Sequence, residues 1–152
     1  MLPNDLRELL LAFNEYGVEY LLVGGYAVGI HAEPRATKDL DIFVRPELLN
    51  SQRVFRALAA YGAPLGGVTP LDFCDNPQAV FQIGQTPLRI DILQHIDGVA
   101  FEEAWPRRVE ATMDGIPVHV ISAEDLIQNK LASGRLQDLA DAAAIRNAAK
   151  GK

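Results

Sequence analysis

YLLVGGYAVGIHAEPRATKDLDIFVR, residues 20–45, holds two devices that the rest of the chain serves. A short apolar run, Leu21-Leu22-Val23, stops at Gly24-Gly25 and gives way to small residues of helical character over 26–31. A strand that turns directly into a helix aims unpaired backbone N–H groups at the space before the helix, which suits an anion. Glycine at such a turn lets a phosphate approach closely. After a polar loop carrying Arg35, Thr37 and Lys38, Asp39 and Asp41 flank Leu40 at the mouth of a second apolar run, Ile42-Phe43-Val44. Strand side chains alternate between faces, so both carboxylates point the same way.

Two like charges side by side at the edge of an apolar strand call for a cation between them. Hard oxygen ligands select Mg²⁺ or Mn²⁺. A phosphate cradle and a carboxylate metal site within one short unit imply that the ligand is a metal-bound nucleoside triphosphate. The spacing is not that of a dinucleotide-binding fingerprint, because the middle glycine is missing, and the Gly-Lys-Ser/Thr of a phosphate loop is absent.

The chain has 152 residues, 49% of them hydrophobic, enough for one domain with a core and too few for two ordinary ones. A single domain over 1–152 is expected, with its core over about 1–95 and a hairpin and helices over about 96–150. The net charge of −6 argues against a broad basic surface for non-specific nucleic-acid binding. No apolar run approaches the ~18 residues of a membrane span, and MLPNDLRELL has neither the basic region nor the apolar core of a signal. The expectation is a cytoplasmic protein without a membrane partner. Cys74 is the only cysteine, so an internal disulfide or a cysteine-based zinc site is excluded.

Taken in order, the periodicity predicts a helix over 5–16 capped by Asn4, with Leu6, Leu9, Leu10 and Phe13 on one face. A strand over 20–23 and another over 40–44 follow, and then a helix over 47–61 with Pro46 in its first turn and Gly62 at its end. Residues 63–77 read as an irregular connection. Residues 79–83 and 88–93 read as an antiparallel pair around a turn over 84–87. Asp91 alternates there with Ile90 and Ile92 and points away from the apolar face. A short helix is expected over 99–105, a hairpin about Asp114-Gly115, and a helix capped by Ser122 and interrupted by Gly134. The last helix, over 135–148, is expected to rest on Leu136, Leu139, Ala140, Ala143 and Ile145.

At Gly24-Gly25, Asp39-Leu40-Asp41 and Asp91 the sequence resembles the nucleotidyltransferase superfamily, the fold of DNA polymerase beta. A glycine pair, a gap of about a dozen residues, an Asp-x-Asp and a third carboxylate on a later strand form that family's signature. Here 13 residues separate Gly25 from Asp39, and Asp91 follows Asp41 by 50 positions. The stretch ISAEDLIQNKLASGRLQDLADAAAIR is similar to the late helices of a small prokaryotic branch that includes the AbiEii-type toxins. The resemblance implies an α/β fold with a small mixed sheet flanked by helices and a helical C-terminal segment. It also implies that Lys130, and with it Asp138, approach the nucleotide. The chain departs from many active members in carrying Tyr26 and Ala27 after the glycines, where they carry serine.

These readings imply metal-dependent transfer of a nucleoside monophosphate from a triphosphate to an acceptor hydroxyl, with release of pyrophosphate. Asp39, Asp41 and Asp91 are the expected catalytic and metal-ligating residues; Gly24, Gly25, Arg35, Thr37, Lys38 and Lys130 are the expected nucleotide-binding ones. The acceptor stays open among tRNA, a protein hydroxyl, an antibiotic or another small molecule. The competing reading is a catalytically silent nucleotide sensor, or a toxin–antitoxin partner, that keeps the fold. Lys130 and Arg135 also fit an ordinary role near helix ends. His31, His95 and His119 show no metal-ligand spacing.

Overall fold

The computed structural model describes residues 2–33, 39–85 and 88–151. Its described strands form one six-stranded mixed sheet in the order β3-β4-β2-β1-β6-β5. These strands are β1 (Tyr20–Val23), β2 (Asp39–Val44), β3 (Val80–Gln85), β4 (Leu88–Leu93), β5 (Val109–Met113) and β6 (Ile116–Val120). β1 runs antiparallel to β2 and parallel to β6, and β2 runs parallel to β4. Every residue of β1 is buried, as a central strand covered on both faces should be.

The helices are α1 (Asn4–Glu15), α2 (Gly24–His31), α3 (Leu48–Tyr61), the short α4 (Phe101–Ala104), α5 (Ala123–Ser133) and α6 (Leu136–Lys150). Phe13 of α1 meets Tyr20 edge to face at 5.8 Å, so α1 covers the face of β1 that carries Tyr20 and Leu22. On the other face Leu21 stands beside Phe43, which packs on Phe101 at 5.1 Å. Asn50 ties this centre together from α3. Its side chain accepts from the Glu19 N–H at 2.8 Å and donates to the Glu19 and Arg45 carbonyls at 3.0 Å each. None of these helices is long and apolar enough to cross a membrane.

Several boundaries differ from the sequence reading for local reasons. Asn4 is the first helical residue and not the cap; Pro3 holds that position with no side-chain bond. Pro46 lies outside α3, which Glu47 precedes in extended backbone. The connection over 63–77 contains a 3-10 turn, Pro70–Phe73, with a reciprocal cap between Thr69 and Asp72. Phe73 is buried against Phe81, and Gln94 donates to the Asp72 carbonyl at 2.6 Å. Gly84 and Gln85 extend β3 beyond its expected end, while residues 86 and 87 of the expected turn lie outside the described residues. Asp114 and Gly115 both take positive φ, 54° and 82°, as a two-residue hairpin requires. Ser122 accepts from the Asp125 N–H at 3.0 Å, and Gly134 ends α5 in the left-handed region.

The largest departure is the orientation of α6. Leu136 is 88% exposed and Leu139 42%, and Ala140 and Ala143 are exposed with them, while Asp138, Asp141, Ala142 and Ile145 are buried. Residues 136, 139, 140 and 143 and residues 138, 141, 142 and 145 follow the same i, i+3, i+4, i+7 spacing on opposite sides of the helix. Hydrophobicity chooses the first set together with Ile145, and of that expected stripe only Ile145 is buried. The protein buries the second, because cations from neighbouring positions meet its carboxylates, as described below. Leu136→Gln and Leu139→Gln should therefore each change the unfolding free energy by less than about 0.5 kcal/mol, whereas Ile145→Ala should cost about 2–4 kcal/mol. Urea denaturation measures both, and a loss above about 2 kcal/mol in Leu136→Gln would place that face in contact with something.

Candidate active site

The C-terminal ends of β1 and β6, where α2 and α5 begin, lie at the same edge of the sheet as the starts of β2 and β4. The register sets Val23 beside Asp41, Asp41 beside Asp91, and Asp39 beside Arg89. With side chains alternating along each strand, Asp39, Asp41, Arg89 and Asp91 all project from one face. Residues 50 positions apart in sequence thus become immediate neighbours.

Gly24 takes a positive φ of 67°, and a Cβ built on it would stand 2.2 Å from Asp41 Oδ2. The first glycine is therefore needed to make room for a carboxylate, as well as to open the helix behind it. The N-cap of α2 is Val23, whose side chain makes no capping hydrogen bond to the start of the helix.

The carboxylates are crowded. Burial raises the Asp41 carboxyl to about 6, the charges of Asp91 and Asp39 and a hydrogen bond with Asp91 add to this, and Arg89 opposes it. Arg89 lies between the other two: its Nη2 is 3.3 Å from Asp39 Oδ2 and 3.2 Å from Asp91 Oδ2. Asp91 is buried, whereas the Asp39 side chain is 43% exposed and faces the open side. Among the described residues no three carboxylate, imidazole or thiol groups converge into a ready-made metal cage. The donor set nevertheless fits a hard divalent cation: three carboxylates share a face, one has a raised pKa that a cation would lower, and Asp91 Oδ1 is buried without a hydrogen-bond partner. Arg89 escaped the sequence reading, although its place two residues before Asp91 puts it on the carboxylate face.

A cleft of about 260 Å³ opens beside Asp41, lined also by Gly24, His95, Asp97, Asn129 and Lys130. Lys130, near the end of α5, lines it but is buried, and its Nζ lies 3.2 Å from Asp138 and 3.3 Å from Asp141 of α6. Arg135 Nε donates to the other oxygen of Asp138 at 2.7 Å. Burial works against ionisation of Asp138, but the hydrogen bonds from Arg135 and Lys130 outweigh it and hold this carboxyl below its ordinary value. The two late-helix residues that the resemblance singled out thus meet each other at the cleft wall. Arg35, Thr37 and Lys38 lie outside the described residues.

His31 and His119 serve the scaffold. His31 Nε2 is 2.6 Å from the Ile121 carbonyl, and His119 Nδ1 is 2.6 Å from Glu110. Cys74 is a half-buried free thiol. A larger hollow of about 540 Å³, lined by Val28, Ala32 and Ala144 among others, contains none of the three strand aspartates. The smaller cleft is lined by Asp41 of the three and is the candidate site.

Comparison with known proteins bears on the fold and the family. The lincosamide antibiotic adenylyltransferase LnuA, in its lincomycin-bound form, is similar with a TM-score of 0.60 at 17% identity, over 97% of this chain and 98% of that one. The antibiotic-resistance factor ANT(2'')-Ia is similar with a TM-score of 0.61 at 15% identity, over 97% and 82% of the two chains. An antigenic nucleotidyltransferase-like protein from Paracoccidioides brasiliensis gives 0.55 at 14% identity, over 95% and 74%. At such identities the likeness is one of fold. Sequence comparison with curated proteins gives no match. A family model described as "nucleotidyltransferase of unknown function (DUF6036)" matches residues 1–147. The match spans nearly the whole chain, and so the chain belongs to the DUF6036 family of nucleotidyltransferases.

Proposed function

We propose that this protein transfers a nucleoside monophosphate from a nucleoside triphosphate to an acceptor hydroxyl, using Mg²⁺ or Mn²⁺ and releasing pyrophosphate. The observation that carries the reading is the register Asp41–Asp91 across β2 and β4, which sets three carboxylates beside the uncapped start of α2. A structural role gives no reason to collect like charges at one sheet edge. Asp39, Asp41 and Asp91 would hold the metal, which when bound neutralises the triphosphate and stabilises the charge of the leaving pyrophosphate.

The chain's own residues supply positioning. First-turn N–H groups of α2, at Gly24 and Gly25, would receive the terminal phosphates. Asp91, the most enclosed of the three carboxylates, would accept the proton of the acceptor hydroxyl as its oxygen bonds to the α-phosphorus and the bond to the β-phosphate oxygen breaks. Lys130 would act through the cleft wall, holding α6 against α5 by Asp138 and Asp141. LnuA, an antibiotic adenylyltransferase by name, and ANT(2'')-Ia, described in complex with adenylyl-2''-tobramycin, support ATP as donor and a small-molecule hydroxyl as acceptor. The second reading, a nucleotide-binding protein without transfer activity, rests on Tyr26 and Ala27 standing where a phosphate-contacting serine would be.

Transfer is tested with each α-labelled triphosphate, Mg²⁺ or Mn²⁺, and a panel of hydroxylated small molecules, tRNA and cell extract. The parent should label one acceptor class. Asp91→Asn should bind nucleotide within a few-fold of the parent while transfer falls at least about a hundredfold, as expected for a group acting chiefly in the transition state. A parent that binds nucleotide but labels nothing, with Asp91→Asn identical to it, would establish the non-catalytic reading.

The crowding of Asp41 gives a second expectation, for metal-free protein. A carboxyl at about 6 in the folded state, against about 3.9 unfolded, binds its proton more tightly when folded. Its stabilising contribution is complete below about pH 4 and is lost as pH rises to about 6. In chelator, the stability of Asp41→Asn relative to the parent should therefore improve by about 2 kcal/mol between pH 4 and pH 7. Denaturation curves at a series of pH values measure the difference, and parallel pH profiles would show that Asp41 is not crowded.

A further inference from the structure

Arg89 reaches two of the three carboxylates, Asp39 and Asp91, from within the sheet. It stands two residues before Asp91 on β4 and across from Asp39 on β2, so the pleat sends its side chain to their face. Besides the two Nη2 contacts, Nε lies 3.1 Å from Asp91 Oδ1. That approach is an ion contact without hydrogen-bond geometry, because both atoms are buried and neither has a hydrogen-bond partner. The inner oxygen of Asp91 is thus neutralised by charge but keeps a lone pair for another cation.

We propose that Arg89 is the resident counter-ion of the metal-free site, a positioning residue that holds Asp39 and Asp91 together until a divalent cation binds and that competes with this cation for their oxygens. The inference rests on the metal reading above. Among the described residues, three ionised carboxylates and one guanidinium leave a charge of −2, which one divalent ion balances. The guanidinium is always protonated, is fixed to β4 by its own backbone and presents a planar fork of donors, so it can span two carboxylates without leaving the site. Its removal has two opposed effects. A dication no longer meets a positive charge a few ångströms away, so it binds more tightly. The metal-free carboxylates lose their compensation, so the folded protein is less stable until metal enters. An ordinary surface ion pair of similar exposure would contribute little to stability and would leave metal affinity unchanged.

The test uses the full chain as parent, Arg89→Gln and Arg89→Lys. Mn²⁺ affinity is read from the electron paramagnetic resonance signal of free Mn²⁺, and melting temperature is measured in EDTA and in saturating Mn²⁺. Arg89→Gln should bind Mn²⁺ about tenfold more tightly than the parent. It should melt lower in EDTA and recover in Mn²⁺. Arg89→Lys keeps the charge and should stay within a few-fold in affinity. Unfolding of Arg89→Gln in EDTA that Mn²⁺ reverses is the same result in stronger form. Unchanged or weaker Mn²⁺ binding by Arg89→Gln, or a melting deficit equal in EDTA and Mn²⁺, overturns the counter-ion role. A parent that takes up no Mn²⁺ at millimolar concentration overturns the metal reading itself, and this inference with it.

Discussion

Repulsion among three carboxylates at one edge of the sheet is the constraint to which the surrounding structure answers. Parallel pairing of β2 with β4 brings Asp41 and Asp91 side by side, and the pleat fixes Asp39 on the same face. Nothing in a strand pair by itself favours that arrangement, since like charges directly opposite each other are destabilising. The sheet tolerates it because the apolar residues between them, Leu40, Ile42, Ile90 and Ile92, are buried on the opposite face and hold the register. A slip of one residue would turn those four side chains toward the site and the aspartates into the core. Gly24 answers the same constraint from the start of α2 by leaving out the side chain that would occupy the place of the Asp41 carboxylate.

The protein meets buried negative charge repeatedly with a cation supplied by another position. Arg89 lies between Asp39 and Asp91, Lys130 between Asp138 and Asp141, and Arg107 makes two hydrogen bonds to Asp125 at 3.0 and 2.9 Å. Removing one partner of such a pair leaves the other uncompensated, so these contacts fix arrangement more than they add stability. The Lys130 group joins α5 to α6 beside the cleft, which Lys130 and Asp138 both line. It also explains why α6 turns its leucines outward. With their charges met, Asp138 and Asp141 can share the inward side with the fully buried Ile145 and Ala142, and the two leucines are left outward.

The nucleotidyltransferase reading was legible in the sequence because its signals are local. The strand–glycine–helix unit, the Asp-x-Asp and the alternation around Asp91 each fit in a few residues, and each lies where periodicity and turn chemistry predicted. The hairpin at Asp114-Gly115 and the cap at Ser122 were legible for the same reason. Less of the site's charge could be seen. Arg89 reads as one polar residue in an alternating strand, and only the parallel register with β2 shows that it faces Asp39 as well as Asp91.

By itself the sequence determined the family and the strands and helices of the core, and it singled out the candidate carboxylates, because these depend on residue type and short-range spacing. The tertiary structure alone decided which side of α6 is buried, that Lys130 is committed to two aspartates, and that a guanidinium already lies among the proposed metal ligands. The physical reason is that a helix with two equivalent stripes, or a charged side chain with several carboxylates in reach, has no preferred partner until the fold sets distances. A Coulomb interaction depends on separation in space and on burial, and neither is encoded in the order of residues along the chain.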